Sequence, residues 1–380
     1  MRARQPWLLV SASVALVLSL CWLGRVRLAP TPPDRARTAA ARRNYDKYFG
    51  RGGAAAALPT LQAVRQIPVA SDVGHLRDCV ITNGHLLAVE GSPARRLIAA
   101  DLNGEPHLPV GARAWALPLA DPHSIQHDLT DPATIWIYDF QAGDLASFAL
   151  SGSIRERQRF TLPIGLFRPV WVGDRLVSNG LFAGELLRSF RRAGDALEQD
   201  NAWGQSPFPD VVPDIAIHLN RSSIAIDPGR RRLALAFLYT SRLHVIGIDG
   251  SAERAISGPE EIKVAYGTRT DPREGIERFI RTSHTRYGYV DVAADEGRIF
   301  ALFSGRSRGQ WKAEAYLADR LHVFSWSGEL LGQWTLPDAV YRIAFDPASR
   351  ILYGIRPAPT AAIVEFRSGA LAGAQARARF

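Results

Sequence analysis

From Arg298 to Ile355 the chain reads RIFALFSG, a charged interruption, DRLHVFSWSGELLGQWTLP and then VYRIAFDPASRILYGI. Short apolar runs alternate with polar positions and are cut by Ser304-Gly305, Ser327-Gly328, Pro337-Asp338 and Asp346-Pro347. A period of two punctuated by such turns predicts antiparallel strands joined by tight connections. The pattern recurs. Ile343-Ala344-Phe345-Asp346-Pro347 followed by Arg350-Ile351-Leu352-Tyr353 echoes Ile224-Ala225-Ile226-Asp227-Pro228 followed by Arg232-Leu233-Ala234-Leu235. Val292-Ala293-Ala294-Asp295 before Arg298-Ile299-Phe300-Ala301 is a third copy. Arg242-Leu243-His244-Val245 with Asp249-Gly250 likewise matches Arg320-Leu321-His322-Val323 with Ser327-Gly328.

Weaker copies begin near Asp78, near His127 and near Arg168. The sum is six units of roughly 40 to 60 residues with about four strands each, the period of propeller blades. One blade cannot bury both faces alone, so blades stack radially and close a ring. No helical pattern of 10–15 residues separates the strands, which argues against an α/β fold. The expected fold is therefore all-β: a six-bladed β-propeller of four-stranded antiparallel blades over residues 61–367, with a disordered tail at 368–380.

Ahead of the propeller, residues 7–24 (WLLVSASVALVLSLCWLG) carry no charge and follow Arg2 and Arg4. The run is long enough to span a bilayer and long for a cleaved signal. No small-x-small pair closes it, and Leu20 before Cys21 does not suit lipid attachment. Residues 1–28 thus read as a signal anchor, with a cleaved signal peptide and secretion as the alternative. Residues 29–60 follow as a Pro-, Arg- and Ala-rich linker. Arg25, Arg27, Arg35, Arg37, Arg42 and Arg43 lie beyond the run, and the positive-inside rule would keep them cytoplasmic.

The net charge of +9 changes little about the globular part. Residues 1–65 hold eleven basic residues against Asp34 and Asp46, which accounts for all of it. The remaining 35 basic and 35 acidic residues balance. A pI near 9.9 therefore reflects a basic juxtamembrane arm and not a nucleic-acid-binding domain. Only Cys79 lies within the propeller, so no intramolecular disulfide forms there, and a lone thiol beside a strand reads as core.

Several second-half segments resemble the TolB-like six-bladed β-propeller lipoproteins of unknown function. They are Gly297 to Arg306 (GRIFALFSGR), Leu321 to Gly328 (LHVFSWSG), and Phe345-Asp346-Pro347 with Ile351-Leu352-Tyr353. These match that family's strand end "-aLySGk-", its "-vFdwdG-" strand and turn, and its closing hairpin, from about Tyr287 to Phe366. The resemblance implies a propeller exported to the extracytoplasmic, periplasmic side. It departs at the N-terminus, where a spanning run replaces the lipid-modified cysteine.

Motifs for chemistry are sparse. Gly305-Arg306-Ser307-Arg308-Gly309 has G-x-S-x-G spacing but lies in a polar loop between strands, not on a strand-to-helix elbow. His123 and His127 have a zinc-like interval only on a helix, and Asp121-Pro122 opposes one. Asn220-Arg221-Ser222 is a sequon too common to weigh. No cofactor or metal is implied. In a propeller the innermost strands all begin at one mouth of the channel, where ligands bind. The residues placed just before them are Arg77, His127, Arg168, Arg221, His284 with Arg286, and Arg342. Such a ring would focus positive potential on an anionic or sugar-like ligand, and arginines in a wet channel would contribute little to stability. The expected function is a membrane-anchored extracytoplasmic binding or scaffold module for a protein, a glycan or a small anion. The alternative is a metal-dependent propeller hydrolase of lactonase or esterase type, with Asp78, Asp128, Asn179, Asn220 and Asp291 near the appropriate strand ends.

Overall fold

The computed structural model describes residues 58–69, 72–102, 113–128, 131–151, 153–229, 231–251, 253–357 and 361–367. The expected anchor at 7–24, most of the 29–60 linker and the 368–380 tail lie outside the described residues. Among the described residues no helix is long and apolar enough to cross a membrane.

Six four-stranded antiparallel sheets form the six expected blades. Blade 1 holds β2 (Leu76–Thr82), β3 (His85–Glu90), β4 (Arg96–Asp101) and β5 (Arg113–Ala116). Blade 2 holds β6 (Pro122–His127), β7 (Thr134–Asp139), β8 (Asp144–Ser151) and β9 (Ser153–Thr161). Blade 3 holds β10 (Val170–Val172), β11 (Arg175–Asn179), β12 (Glu185–Ala193) and β13 (Ala196–Gln205). Blade 4 holds β14 (Ser222–Ile226), β15 (Arg232–Phe237), β16 (Arg242–Gly247) and β17 (Arg254–Ser257). Blade 5 holds β20 (Tyr289–Ala294), β21 (Arg298–Phe303), β22 (Ala318–Ser325) and β23 (Leu330–Val340). Blade 6 is β24 (Arg342–Asp346), β25 (Ile351–Arg356) and β26 (Ala362–Arg367), completed by β1 (Gln62–Pro68) on the outer edge of β26. The start of the domain thus closes the ring by pairing with its end.

Burial follows the radial order. The second strands β7 and β21 are buried at every position because neighbouring blades cover both faces, whereas the outer strands β9 and β13 are mostly exposed. Close approach is needed where blade 4 hands over to blade 5: a Cβ on Gly288 would lie 1.8 Å from the Thr240 carbonyl oxygen.

The repeated Asp and Arg form a staple between blades. Asp227 accepts the Gly229 N–H at 3.0 Å and the Arg232 guanidinium at 2.8 and 3.0 Å. Asp295 accepts the Gly297 N–H at 2.9 Å and the Arg298 guanidinium at 2.7 and 3.0 Å. Held flat in this way, Arg232 stacks 4.9 Å from Trp326 of blade 5, and Arg298 stacks 5.4 Å from Phe345 of blade 6. The motif serves the fold.

Three short elements depart from the blade pattern, and all stand at the mouth where inner strands begin. Helix α1 (Pro213–Leu219) precedes β14. A two-stranded hairpin, β18 (Gly267–Thr270) with β19 (Glu277–Ile280), precedes β20. Helix α2 (Arg308–Trp311) and a 3-10 turn (Lys312–Tyr316) join β21 to β22. Gly305-Arg306-Ser307-Arg308-Gly309 runs into α2 out of β21, but the Ser307 hydroxyl donates to the Gln310 side-chain oxygen at 3.1 Å and not to a histidine or carboxylate.

Candidate functional site

The blades are tied to one another around the whole ring by polar contacts that reach the inner strands at every junction. Asp78 Oδ2 accepts the Ile125 N–H at 3.1 Å, linking blades 1 and 2. Gln126 Oε1 accepts the Trp171 N–H at 2.9 Å, and Asn179 Nδ2 donates to the Ser222 carbonyl at 2.5 Å. Ser223 Oγ donates to the Val290 carbonyl at 3.2 Å, and Asp291 Oδ2 accepts the Ile343 N–H at 2.9 Å. Arg342 Nε closes the circuit on the Arg77 carbonyl at 2.8 Å. These strands line a channel and lack a full sheet partner inward, so side chains satisfy their edges.

Inside this circuit sits one guanidinium. Arg168 NH1 lies 3.1 Å from Asp291 Oδ1, and its Nε lies 3.1 Å from Asp78 Oδ2. Its other terminal nitrogen donates to Asp78 Oδ1. Asp78 and Asp291 belong to blades 1 and 5, so Arg168 from the approach to β10 spans the channel. A β-bulge immediately precedes each aspartate, between Leu76 and Asp78 and between Tyr289 and Asp291. A third bulge precedes Ser124 in β6. Bulges re-aim side chains, and these turn three residues toward the axis. Burial pushes the Asp78 carboxyl upward while Arg168 and Arg342 draw it back. Burial also opposes the Arg168 charge, but the two aspartates more than restore it.

The seven sequence-predicted positions divide. Arg77, Arg168 and Arg342 do come together with Asp78, although not as unpaired cations. Arg77 lies 3.7 Å from Asp121, and Arg342 approaches Asp78 at 4.0 Å while donating to the Tyr341 and Val290 carbonyls. Arg221 lies over the Phe167 ring at 5.3 Å. Arg286 donates to the Gly305 carbonyl at 2.9 and 3.1 Å, against the β21–β22 connection. His284 is exposed on the approach to β20. His127 ends β6 instead of preceding it and so occupies the far end of the channel. The inner strand Pro122-His-Ser-Ile-Gln-His127 carries one aliphatic residue because it faces a polar channel, so hydrophobic alternation begins only at β7. His123 takes the place expected for His127.

A cavity of about 40 Å³ lies beside Arg168, lined by Asp78, His123, Ser124, Phe167, Ser222, Ser223 and Arg342. It has room for a water or two, not for a substrate. His123 is lowered to about 3, chiefly by burial and then by Arg77, Arg342 and Arg221. His75, stacked on Tyr341 at 5.6 Å, is lowered to about 4 by burial, Arg77 and Arg342. His218 of α1, stacked on Phe279 at 5.3 Å, is lowered to about 4 by burial, Arg221, Arg281 and Arg278. The Tyr239 hydroxyl is raised by burial against the pull of Arg221, Arg281 and Arg308. Phe167, Tyr341 and Arg281 escaped the sequence reading because they lie in connections that carry no repeat, and His123 and Arg308 entered it only within a zinc-like interval and a G-x-S-x-G run.

The residues named for a metal site also separate. Asp78 and Asp291 converge, but on Arg168. Asn179 and Asn220 are engaged with backbone carbonyls, and Asp128 accepts from Trp136 Nε1 at 2.8 Å. Among the described residues no three His, Cys, Asp or Glu side chains are grouped to hold a metal ion. Asp78 and Asp291 hold a guanidinium between them, and a divalent cation would have to displace it.

The chain is thus defined as a six-bladed β-propeller with a polar, ion-paired channel. It is similar in structure to a member of the DUF4221 family from Bacteroides vulgatus, at TM-score 0.50 and 10% identity over 81% of this chain and 97% of that one. It also matches the β-propeller domain of Cps50 (Swd1) from Myceliophteria thermophila at TM-score 0.46 and 10% identity, covering 81% and 99%. No family model matches the sequence. No curated protein matches it in sequence. The TolB-like resemblance consequently rests on the second-half motifs alone.

Proposed function

We propose that this propeller is a binding module whose ligand is anionic and sits on the mouth face, between Phe167, Arg221, Arg281 and Arg308. The convergence of Arg77, Arg221, Arg281 and Arg342 on His75, His123 and His218, which burial lowers first and these arginines lower further, carries this reading. The propeller stands outside the cytoplasm, held by a spanning segment at 7–24, a reading supported by the uncharged run and by the exported family its motifs resemble.

Calorimetric titration with inorganic phosphate, citrate and a uronic-acid disaccharide tests the ligand class. At least one should bind, and Arg221→Ala should weaken it roughly ten- to hundred-fold, the worth of one well-paired charged hydrogen bond. Equal affinity in wild type and Arg221→Ala would remove the mouth from consideration.

A further inference from the structure

Blades 2 and 3 carry a feature unrelated to the mouth. Trp136 of β7, Phe160 of β9 and Trp171 of β10 form a triangle of buried rings. Their centroids are 5.4 Å apart for Trp136–Trp171, 5.9 Å for Trp136–Phe160 and 6.2 Å for Phe160–Trp171. The exposed Arg192 reaches over all three, its Cζ 4.9 Å from the Trp171 centroid, 5.2 Å from Phe160 and 5.9 Å from Trp136. All three distances fall within the roughly 6 Å range of cation–π attraction.

This differs from the other arginine–ring contacts among the described residues. Arg188, Arg232, Arg298, Arg306, Arg320 and Arg342 each also have a carboxylate within 4.0 Å. Arg221 lacks one but meets a single ring. Among the described residues Arg192 makes neither an ion pair nor a hydrogen bond, so the rings alone hold its charge. It also sits on an outlying element. Pairing of β12 with β11 ends at Arg191–Arg175, whereas pairing with β13 continues through Arg192–Leu197 to Ala193–Ala196. Residues 191–196 are exposed, so a two-stranded arm projects past the blade and folds its arginine back. The Trp171 indole N–H beneath is buried without a partner.

We infer that Trp136, Phe160 and Trp171 form a cation-binding aromatic cage for a quaternary ammonium group, and that Arg192 is its tethered occupant in the unliganded protein. A primary ammonium or guanidinium ligand would arrive with N–H donors, and the rings offer them no acceptor. A quaternary ammonium has none to satisfy and asks only for ring faces. Ligand and Arg192 exclude each other, so binding requires the Arg192 side chain to swing off the rings.

The test titrates choline into the full-length chain and into Arg192→Ala, followed by nuclear magnetic resonance of the tryptophan indoles. Arg192→Ala should bind choline at least about ten-fold more tightly than wild type, and its Trp171 signal should shift. The uncharged carbon analogue 3,3-dimethylbutan-1-ol should bind Arg192→Ala about ten-fold more weakly than choline, a comparison that needs no further variant. Trimethyl-lysine peptide and phosphocholine vesicles, tested in parallel, separate a protein-borne from a lipid-borne ammonium. Equal choline affinity in wild type and Arg192→Ala, or equal affinity for choline and its neutral analogue, would overturn the cage.

Discussion

Arg168 joins two carboxylates that are almost wholly buried, at 3% and 0% side-chain exposure for Asp78 and Asp291. Removing the guanidinium leaves both aspartates desolvated and repelling each other. Arg168→Met should therefore cost about 3–5 kcal/mol in urea unfolding, as expected for breaking a buried ion network from one side. Adding Asp78→Asn and Asp291→Asn should recover most of the loss, because neutral amides need no counter-charge. A harmless Arg168→Met would mean that water reaches the pair. The expected free, wet channel arginines are instead engaged: Arg168 is ion-paired with Asp78 and Asp291, and Arg342 holds carbonyls of blades 1 and 5. Acid acts at the same scale. His322 is fully buried, its Nδ1 3.0 Å from the Tyr289 hydroxyl, and burial with Arg320 lowers it from 6.5 to about 3. Between those values the unfolded chain takes up a proton that the native histidine refuses. Its contribution is complete above pH 6.5 and is lost as pH falls toward 3. His322→Asn should remove about 1.4 kcal/mol per pH unit from the acid slope of stability, measured by urea midpoints from pH 6 to 4. An unchanged slope would show that His322 is protonated or solvated in the native state.

Among elements, β1 does the most for its length. It lies 294 to 305 residues from its partner in sequence and supplies the fourth strand of blade 6, running from Gln62–Arg367 to Pro68–Ala362. A chain starting at residue 72 would expose the β26 edge, a row of unpaired backbone groups open to other chains. It should melt earlier than the intact chain and form dimers or larger species by size-exclusion chromatography. A monomer with unchanged melting temperature would show that blade 6 holds with three strands. The blades themselves were legible in the sequence wherever strands are covered on both faces, as at Ile299-Phe300-Ala301-Leu302-Phe303. The repeated Asp and Arg were legible as a pattern, and Arg232 over Trp326 explains their spacing. The inner strands of blades 4, 5 and 6 were legible as the opening strands of the repeat, but that of blade 2 was not. Its side chains face a polar channel, so Pro122–His127 shows no alternation, and the bulges before Asp78, Ser124 and Asp291 leave no mark on composition. The same polarity hid the candidate site: a carboxylate that caps a neighbouring blade's N–H reads, in sequence, like any surface aspartate.

At the scale of the whole molecule, charge is divided unevenly. Residues 1–65 carry the entire excess of +9, and the rest of the chain balances. The positive potential proposed at the mouth would therefore be local, made by where Arg77, Arg221, Arg281 and Arg342 stand. The basic arm bears on a different question, the side of a membrane on which the propeller would lie under the proposed anchor at 7–24. Arg25, Arg27, Arg35, Arg37, Arg42 and Arg43 follow the run at 7–24, against Arg2, Arg4 and the amino terminus before it. Loop charge within about 15–20 residues of a span favours the cytoplasm for the more basic flank. The proposed extracytoplasmic position runs against that bias, so fusions decide it. Alkaline phosphatase fused after residue 380 should be active, and green fluorescent protein at the same point, exported unfolded by the Sec route, should be dark. Replacing Arg25, Arg27, Arg35 and Arg37 by Gln should then raise the fraction exported or leave it complete. Bright fluorescence with inactive phosphatase in the native sequence would place the propeller in the cytoplasm and show that the arginines after the span set its orientation.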